Sequence, residues 1–242
     1  MNIVAGHGKN DNILLAISKF KDMNPGVNIE LVETDAELVD AINNPMVDGV
    51  IRGSLNASSV LKVLRGESDN IINRATFVRH SDYEFLLAPV GIDEGKTYDD
   101  KVVLIKQANT FFESMGKSMK VGLISAGRED DYGRADYIDA MLKDSEELER
   151  SLKDSFDIKN YYILIEEAIA DGANLILAPN GVMGNLLFRS LILVAGWESC
   201  GAVTLGIDEI YIDTSRSQSV EGYLRSLDFV VELVENKKIS LK

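Results

Sequence analysis

The residues of this chain best suited to chemistry sit where strands give way to helices. After the apolar run 210–212 the sequence reads Asp213-Thr214-Ser215-Arg216-Ser217, three hydroxyls and a guanidinium within four positions. After the run 175–177 it reads Ala178-Pro179-Asn180-Gly181, with Gly184 and Asn185 close behind. In an open parallel sheet, ligands bind outside the carboxyl ends of the strands. Helix starts there offer free N–H groups to anions, and an arginine can clamp phosphate through two parallel hydrogen bonds. The chemistry expected of this region is recognition of a phosphate or carboxylate.

Each position also has a plainer explanation. Gly184 could let a phosphate approach the backbone while the Asn185 amide donates to it, or the glycine could serve only close helix–sheet packing. Ser215 with Gln218 matches the S-x-x-Q form of a capping box, and Ser217 could cap instead; Arg216 would then be a surface residue. Arg52-Gly53-Ser54 ends a third apolar run with a cation beside a glycine, a third anion-directed turn of the same form. Gly6-His7-Gly8-Lys9 resembles a phosphate loop but lacks the leading glycine and has Asn10 where Ser or Thr should follow the lysine. No nucleotide role is expected of it.

The composition narrows the classes. A net charge of −14 over 242 residues argues against nucleic-acid binding, which needs clustered Lys and Arg. Cys200 is the single cysteine, so no internal disulfide can form, which fits a reducing compartment. With only His7 and His80 besides it, no metal site is expected. The start MNIVAGHGKNDN has too short an apolar run for a signal peptide, and the longest apolar segment, 186–197, is broken by Arg189 and Ser190 well below spanning length. These features suggest a cytoplasmic protein with no membrane or nucleic-acid partner.

The elements that must position these residues follow an alternating rhythm. Strands are expected at 2–5, 27–32 and 47–51, with helices through Met23, from a Thr34 cap to Asn43, and from about Ala57 to Leu64. The runs 74–78 and 83–90 lie too close together for a helical crossover and suggest an antiparallel pair. A long helix is expected from Tyr98 to Met115, a strand at 120–125, a polar helix end and connection at 144–157, and a helix at 161–170. The helix carrying Phe188, with Trp197 just after, is so apolar that it suggests a buried element. The two key helices should begin near Gly184-Asn185 and Ser217, the second ending near Asn236 before a basic tail, 237–242.

Taken in order, DGVIRGSLNASSVL, DGANLILAPNGVMGNLLFR and GAVTLGIDEIYIDTSRSQSVEGYLRSL resemble the phosphate acetyl/butyryltransferase family over most of the chain. More narrowly, the short form resembles a methanogen marker group within that superfamily, named for a methyltransferase subunit X. The resemblance implies an α/β fold of two lobes, with mostly parallel sheets flanked by helices and a trimmed N-terminal lobe. The lobes would be 1–80 with helix 217–242, and 81–216. It implies a ligand cleft between lobes, a homodimer, and acyl transfer between coenzyme A and phosphate, with coenzyme A or acyl-coenzyme A as substrate and no tightly bound cofactor. By carry-over, Ser215 and Arg216 would hold the phosphate or acyl carbonyl as catalytic residues. Arg52, Gly53, Asn180, Gly184, Asn185, Thr214 and Ser217 would line the ligand. Arg216 and backbone N–H groups would stabilise a tetrahedral oxyanion.

The sequence departs from the family at telling positions. Asn180 replaces the usual Asp, Arg189 the usual Lys, and Gly222 stands where the acetyl branch has its proposed base for the thiol. The Asp-Gly-Pro segment expected shortly before Tyr161 is missing. Three readings stay open: an acyltransferase, a methyltransferase-associated subunit of methanogen one-carbon metabolism, and a relative that binds ligand without turnover.

Overall fold

The structure, a computed structural model, describes residues 1–56, 59–67 and 70–240. The chain forms two compact units: Met1–Ile72 with Glu198–Lys242, and Asn73–Trp197.

In the first unit, β1 (Asn2–Gly6), α1 (Asn12–Met23), β2 (Asn28–Val32), α2 (Asp35–Ile42), β3 (Gly49–Ile51) and α3 (Val60–Glu67) alternate as the sequence suggests. Thr34 caps α2 in a full capping box with Glu37. The expected opening of α3 at Ala57 and Ser58 lies outside the described residues, as do Leu241 and Lys242 of the expected tail. The second unit holds β4 (Asn73–His80), β5 (Tyr83–Ala88), α4 (Tyr98–Ser114), β6 (Lys120–Leu123), α5 (Asp136–Leu152), β7 (Asp157–Asn160), α6 (Ile165–Ala170), β8 (Leu175–Leu177) and α7 (Gly181–Phe188), which runs on into a π-helical segment, Arg189–Val194. The chain then returns to the first unit with β9 (Glu198–Leu205), β10 (Tyr211–Asp213) and α8 (Val220–Ser240).

Within the first unit the strands run in the order β2-β1-β3-β10-β9. β2, β1, β3 and β10 are mutually parallel, and β9 is antiparallel to β10. Ile51 is the register partner of both Ala5 and Ile212, so the carboxyl ends of β1, β3 and β10 finish side by side. Helix α8 buries Tyr223, Leu227, Phe229 and Val230 completely, and α1 presents buried Ile13, Ala16 and Phe20. Within the second unit the order is β4-β5-β8-β6-β7. β4 and β5 form the antiparallel pair suggested by their spacing, and β5, β8, β6 and β7 are parallel.

Several expectations need correction. The connection at 144–157 is mostly α5, followed by the short strand β7, whose alternation in DIKN is too brief to stand out from its polar surroundings. β9 has no counterpart among the expected strands. Its middle holds Gly201 at φ +99, a conformation only glycine adopts freely, and glycine weakens a strand signal. α8 continues through Lys237 and Lys238, whose charges suit the carboxyl end of a helix. The helix at 181–194 is not buried: Val182, Leu186, Leu193 and Val194 are exposed, Val194 at 85%. Phe188 and Trp197 are half-buried, with Trp197 stacked on His80 at 4.3 Å between centroids.

Candidate functional site

Three loops leave the carboxyl edge of β1, β3 and β10 in the first unit: His7-Gly8-Lys9-Asn10, Arg52-Gly53-Ser54-Leu55-Asn56 and Thr214-Ser215-Arg216-Ser217. Their backbones pack closely, and glycines make that approach geometrically allowed. A Cβ on Gly53, which has φ +61, would stand 1.9 Å from the Gly6 carbonyl oxygen. One on Gly8 would stand 2.4 Å from the Ser54 carbonyl oxygen. The Gly8 N–H donates to Ser54 Oγ at 2.8 Å, and the Ser54 N–H to the Gly6 carbonyl at 3.0 Å. The glycines of Gly6-His7-Gly8-Lys9 therefore serve loop packing.

The polar residues on this edge divide into braces and open groups. Arg52 is a brace. Its Nη1 donates to Asp213 Oδ1 at 2.8 Å and its Nε to the Leu55 carbonyl at 3.0 Å, with both charged side chains largely buried. A guanidinium neutralised by a neighbouring carboxylate is poorly placed to bind an added anion, so the ligand role carried over to Arg52 becomes a structural one. Thr214 is likewise internal: it is buried and its hydroxyl donates to the Gly53 carbonyl at 2.8 Å. Gly53 contributes its conformation and its carbonyl.

Arg216, Ser215 and Ser217 remain open. Arg216 is exposed, and its Nη1 donates to Asn56 Oδ1 at 2.6 Å. Among the described residues it has no carboxylate partner. Ser215 and Ser217 place their hydroxyl oxygens 3.4 Å apart. Neither caps α8. That helix begins at Val220, and Ser219 Oγ accepts the Gly222 N–H at 3.1 Å, so both anticipated caps are replaced by Ser219. A competing S-x-x-Q match just upstream hid this. Lys9 has no hydrogen bond or ion pair with another described residue, so the edge carries two uncompensated cations.

Sequence reasoning missed the partners that hold this edge. Asp213, an acid at the very end of a buried strand, was the available signal for an internal ion pair. Asn10 looked like the wrong residue in a phosphate loop, yet its amide donates to the carbonyls of Arg216 and Gln218 at 3.1 and 3.0 Å. His7 hydrogen-bonds Asp11 at 3.0 Å beside it.

The other junction belongs to the second unit, where α7 starts three residues earlier than expected. Asn180 is its N-cap and accepts the Met183 N–H at 3.0 Å. Gly184 lies a turn inside, its N–H bonded to the Asn180 carbonyl at 3.0 Å, so it offers no free donor. A Cβ at Gly184 would meet the Pro89 carbonyl oxygen at 1.9 Å, and one at Gly181 the Gly91 carbonyl oxygen at 1.6 Å. The Asn185 amide donates to the Val90 carbonyl at 3.0 Å. Gly184 and Asn185 thus seat α7 against the 89–91 segment, the packing explanation rather than the ligand one. In α8, Gly222 is buried under the Gln218 side chain and carries no acid.

This architecture can be set beside known proteins. No family model matches the chain. Its fold is that of the phosphotransacylases: a branched-chain phosphotransacylase from Enterococcus faecalis superposes with a TM-score of 0.78 at 17% identity, over 97% of this chain and 99% of that one. In sequence, the chain is 35% identical over 235 residues to an uncharacterized methyltransferase of Methanocaldococcus jannaschii, covering 93% of this chain and 95% of that protein. It is 37% identical over 210 residues to a Methanosarcina barkeri protein named "Putative methyltransferase mtx subunit X", covering 84% of this chain and 77% of that one. The chain belongs to the family of these methanogen proteins.

Proposed function

We propose that this protein binds a phosphorylated or coenzyme-A-type anion at the carboxyl edge of β1, β3 and β10, with Arg216 and Ser215 in contact with the ligand. The observation that carries this reading is the pair of arginines on that edge. Arg52 is neutralised by Asp213, whereas Arg216 is steadied by a neutral amide and keeps its full charge. A guanidinium held in place but not compensated is prepared for an incoming anion. The phosphotransacylase fold supports the same reading.

The chemistry such a site would support is acyl transfer between coenzyme A and phosphate, with Arg216 stabilising the oxyanion of the tetrahedral intermediate. Gly222 supplies no base for the thiol, which favours a ligand-binding relative over a fast acyltransferase. The relatives are named as methyltransferases, which supports a second reading, a role in methyl transfer. Incubation with acetyl- or butyryl-coenzyme A and phosphate, following thiol release with and without Arg216→Ala, separates these readings. Release that depends on Arg216 supports acyl transfer. Thermal stabilisation by phosphate or coenzyme A without release supports the binding reading. Neither response would move the weight to methyl transfer.

We also infer that the exposed face of 181–194 seats a second copy of this chain. Residues 181–197 contain no Asp or Glu and one Arg in a chain of net charge −14. Two such chains repel over most of their surfaces, and this neutral apolar face is where they can meet without that penalty.

A further inference from the structure

The turn that carries Ser215 and Arg216 has its carbonyl groups tied back into the body of the first unit. Tyr223 Oη donates to the Ser215 carbonyl at 3.0 Å and to the Arg216 carbonyl at 3.2 Å. Asn10 Nδ2 donates to the Arg216 carbonyl at 3.1 Å and to the Gln218 carbonyl at 3.0 Å, and Asn12 Nδ2 adds a bond to the Gln218 carbonyl at 3.0 Å. The Asn10 amide is itself oriented, because its Oδ1 accepts the Asn12 N–H at 3.1 Å. Tyr223 is fully buried. Burial pushes its phenol above the ordinary value, so it stays a protonated donor at neutral pH.

A trans peptide is planar, and its C=O and N–H point in opposite directions. With the Ser215 and Arg216 carbonyls drawn toward Tyr223, the N–H groups of Arg216 and Ser217 must lead away from it. Neither N–H bonds to another described residue. The same turn displays the exposed Arg216 guanidinium, whose Nη1 donates to Asn56 Oδ1. The Gln218 N–H closes the turn on the Ser215 carbonyl at 3.2 Å, so the carbonyls are held inward and the two N–H groups left facing outward are those of Arg216 and Ser217.

We propose that Asn10 and Tyr223 are positioning residues for the site. They clamp the 215–218 turn so that the Arg216 and Ser217 N–H groups join the Arg216 guanidinium in one cradle for a tetrahedral oxyanion such as a phosphate group. This rests on the binding reading given above. It also accounts for the Gly-His-Gly-Lys-Asn loop, which takes no phosphate itself but delivers Asn10 to the turn that does. Neither residue need touch the ligand. Their contribution is preorganisation, since a turn whose amides already face the ligand loses little freedom on binding.

The test measures inorganic phosphate binding by calorimetry for the full chain and for Arg216→Ala, Tyr223→Phe and Asn10→Ala, with the melting temperature of each phosphate-free protein recorded alongside. Tyr223→Phe keeps the buried ring and removes only the clamping hydroxyl; Asn10→Ala tests the clamp independently from the loop side. Amide resonances of Arg216 and Ser217 report the cradle directly. The expectation is about tenfold weaker phosphate binding in each clamp variant, the order of one charge-assisted hydrogen bond. The phosphate-induced shifts of the two amides should shrink while the Arg216 side chain is intact. Wild type that binds no phosphate overturns the site itself and the clamp with it. Wild type that binds, Arg216→Ala that does not, and clamp variants with lowered melting temperatures but unchanged affinity and amide shifts would leave the site standing and overturn the clamp.

Discussion

Arg216 Nη1 donates to Asn56 Oδ1 at 2.6 Å, while on the adjoining loop Arg52 Nη1 donates to Asp213 Oδ1 at 2.8 Å. The two arginines stand at the ends of neighbouring parallel strands, but one charge is neutralised inside the fold and the other is kept. Arg52 should therefore matter to stability and Arg216 to binding.

Arg52→Met takes the guanidinium away from the largely buried Asp213 carboxylate. Breaking one side of such a pair costs roughly 3 kcal/mol. Chemical denaturation should show that loss for Arg52→Met. Arg216→Ala, at an exposed position, should stay within about 0.5 kcal/mol of the parent. Equal losses for the two variants would mean that the division between brace and open group is mistaken.

The glycines separate in the same way. Gly184→Ala drives a methyl against the Pro89 carbonyl oxygen, which is backbone and cannot step aside, so a loss of about 1–3 kcal/mol or more is expected. The three atoms nearest a Cβ at Gly222 all belong to the Gln218 side chain, which can shift, and alanine gains helix propensity, so Gly222→Ala should be tolerated. Gly222→Asp should fold as well, and it places the missing acid on the first turn of α8. If thiol release from acyl-coenzyme A rises in that variant, the acyl-transfer chemistry is supported; melting of Gly184→Ala at the parent temperature would refute the packing role.

Much of this division was readable in the chain and part of it was not. The alternation of strands and helices, the hairpin of β4 and β5, and the strand ends that carry Arg52 and Arg216 follow from local periodicity and turn residues. What local sequence could not reveal is which of several serines caps α8, because Ser215, Ser217 and Ser219 all suit the position and only the path of the turn decides. Nor could it reveal that Arg52 meets Asp213, far away in sequence, or that Asn10 reaches across to Gln218. The exposed apolar helix shows the converse: composition reports how apolar a segment is, not which surface covers it.

Acid sensitivity should trace partly to Asp171. The Tyr161 hydroxyl and then the Lys120 ammonium hold its carboxyl down at about 2. A carboxylate whose folded value lies below its unfolded value of roughly 3.9 stabilises the fold above that unfolded value. That contribution disappears as pH falls from about 4 through about 2. Melting temperatures of the parent should drop through that window, and Asp171→Asn should be less stable at pH 5 with a flatter acid limb. Parallel pH profiles would show that Asp171 contributes nothing to the linkage.

Sedimentation velocity tests the apolar face. The parent should sediment as a dimer, and Leu186→Asp with Val194→Asp should yield a folded monomer, because each copy would bring added negative charge to a surface that lacked it. A dimer that survives both substitutions would place the contact elsewhere, and a monomeric parent would remove it.

The most direct test of the site is calorimetric titration of inorganic phosphate into the parent chain and into Arg216→Ala at low ionic strength. Saturable binding by the parent that falls at least about tenfold in Arg216→Ala, with the melting temperature of the free protein unchanged, is the predicted result. Equal affinity in the two proteins would contradict the assignment of Arg216 as the ligand's anchor.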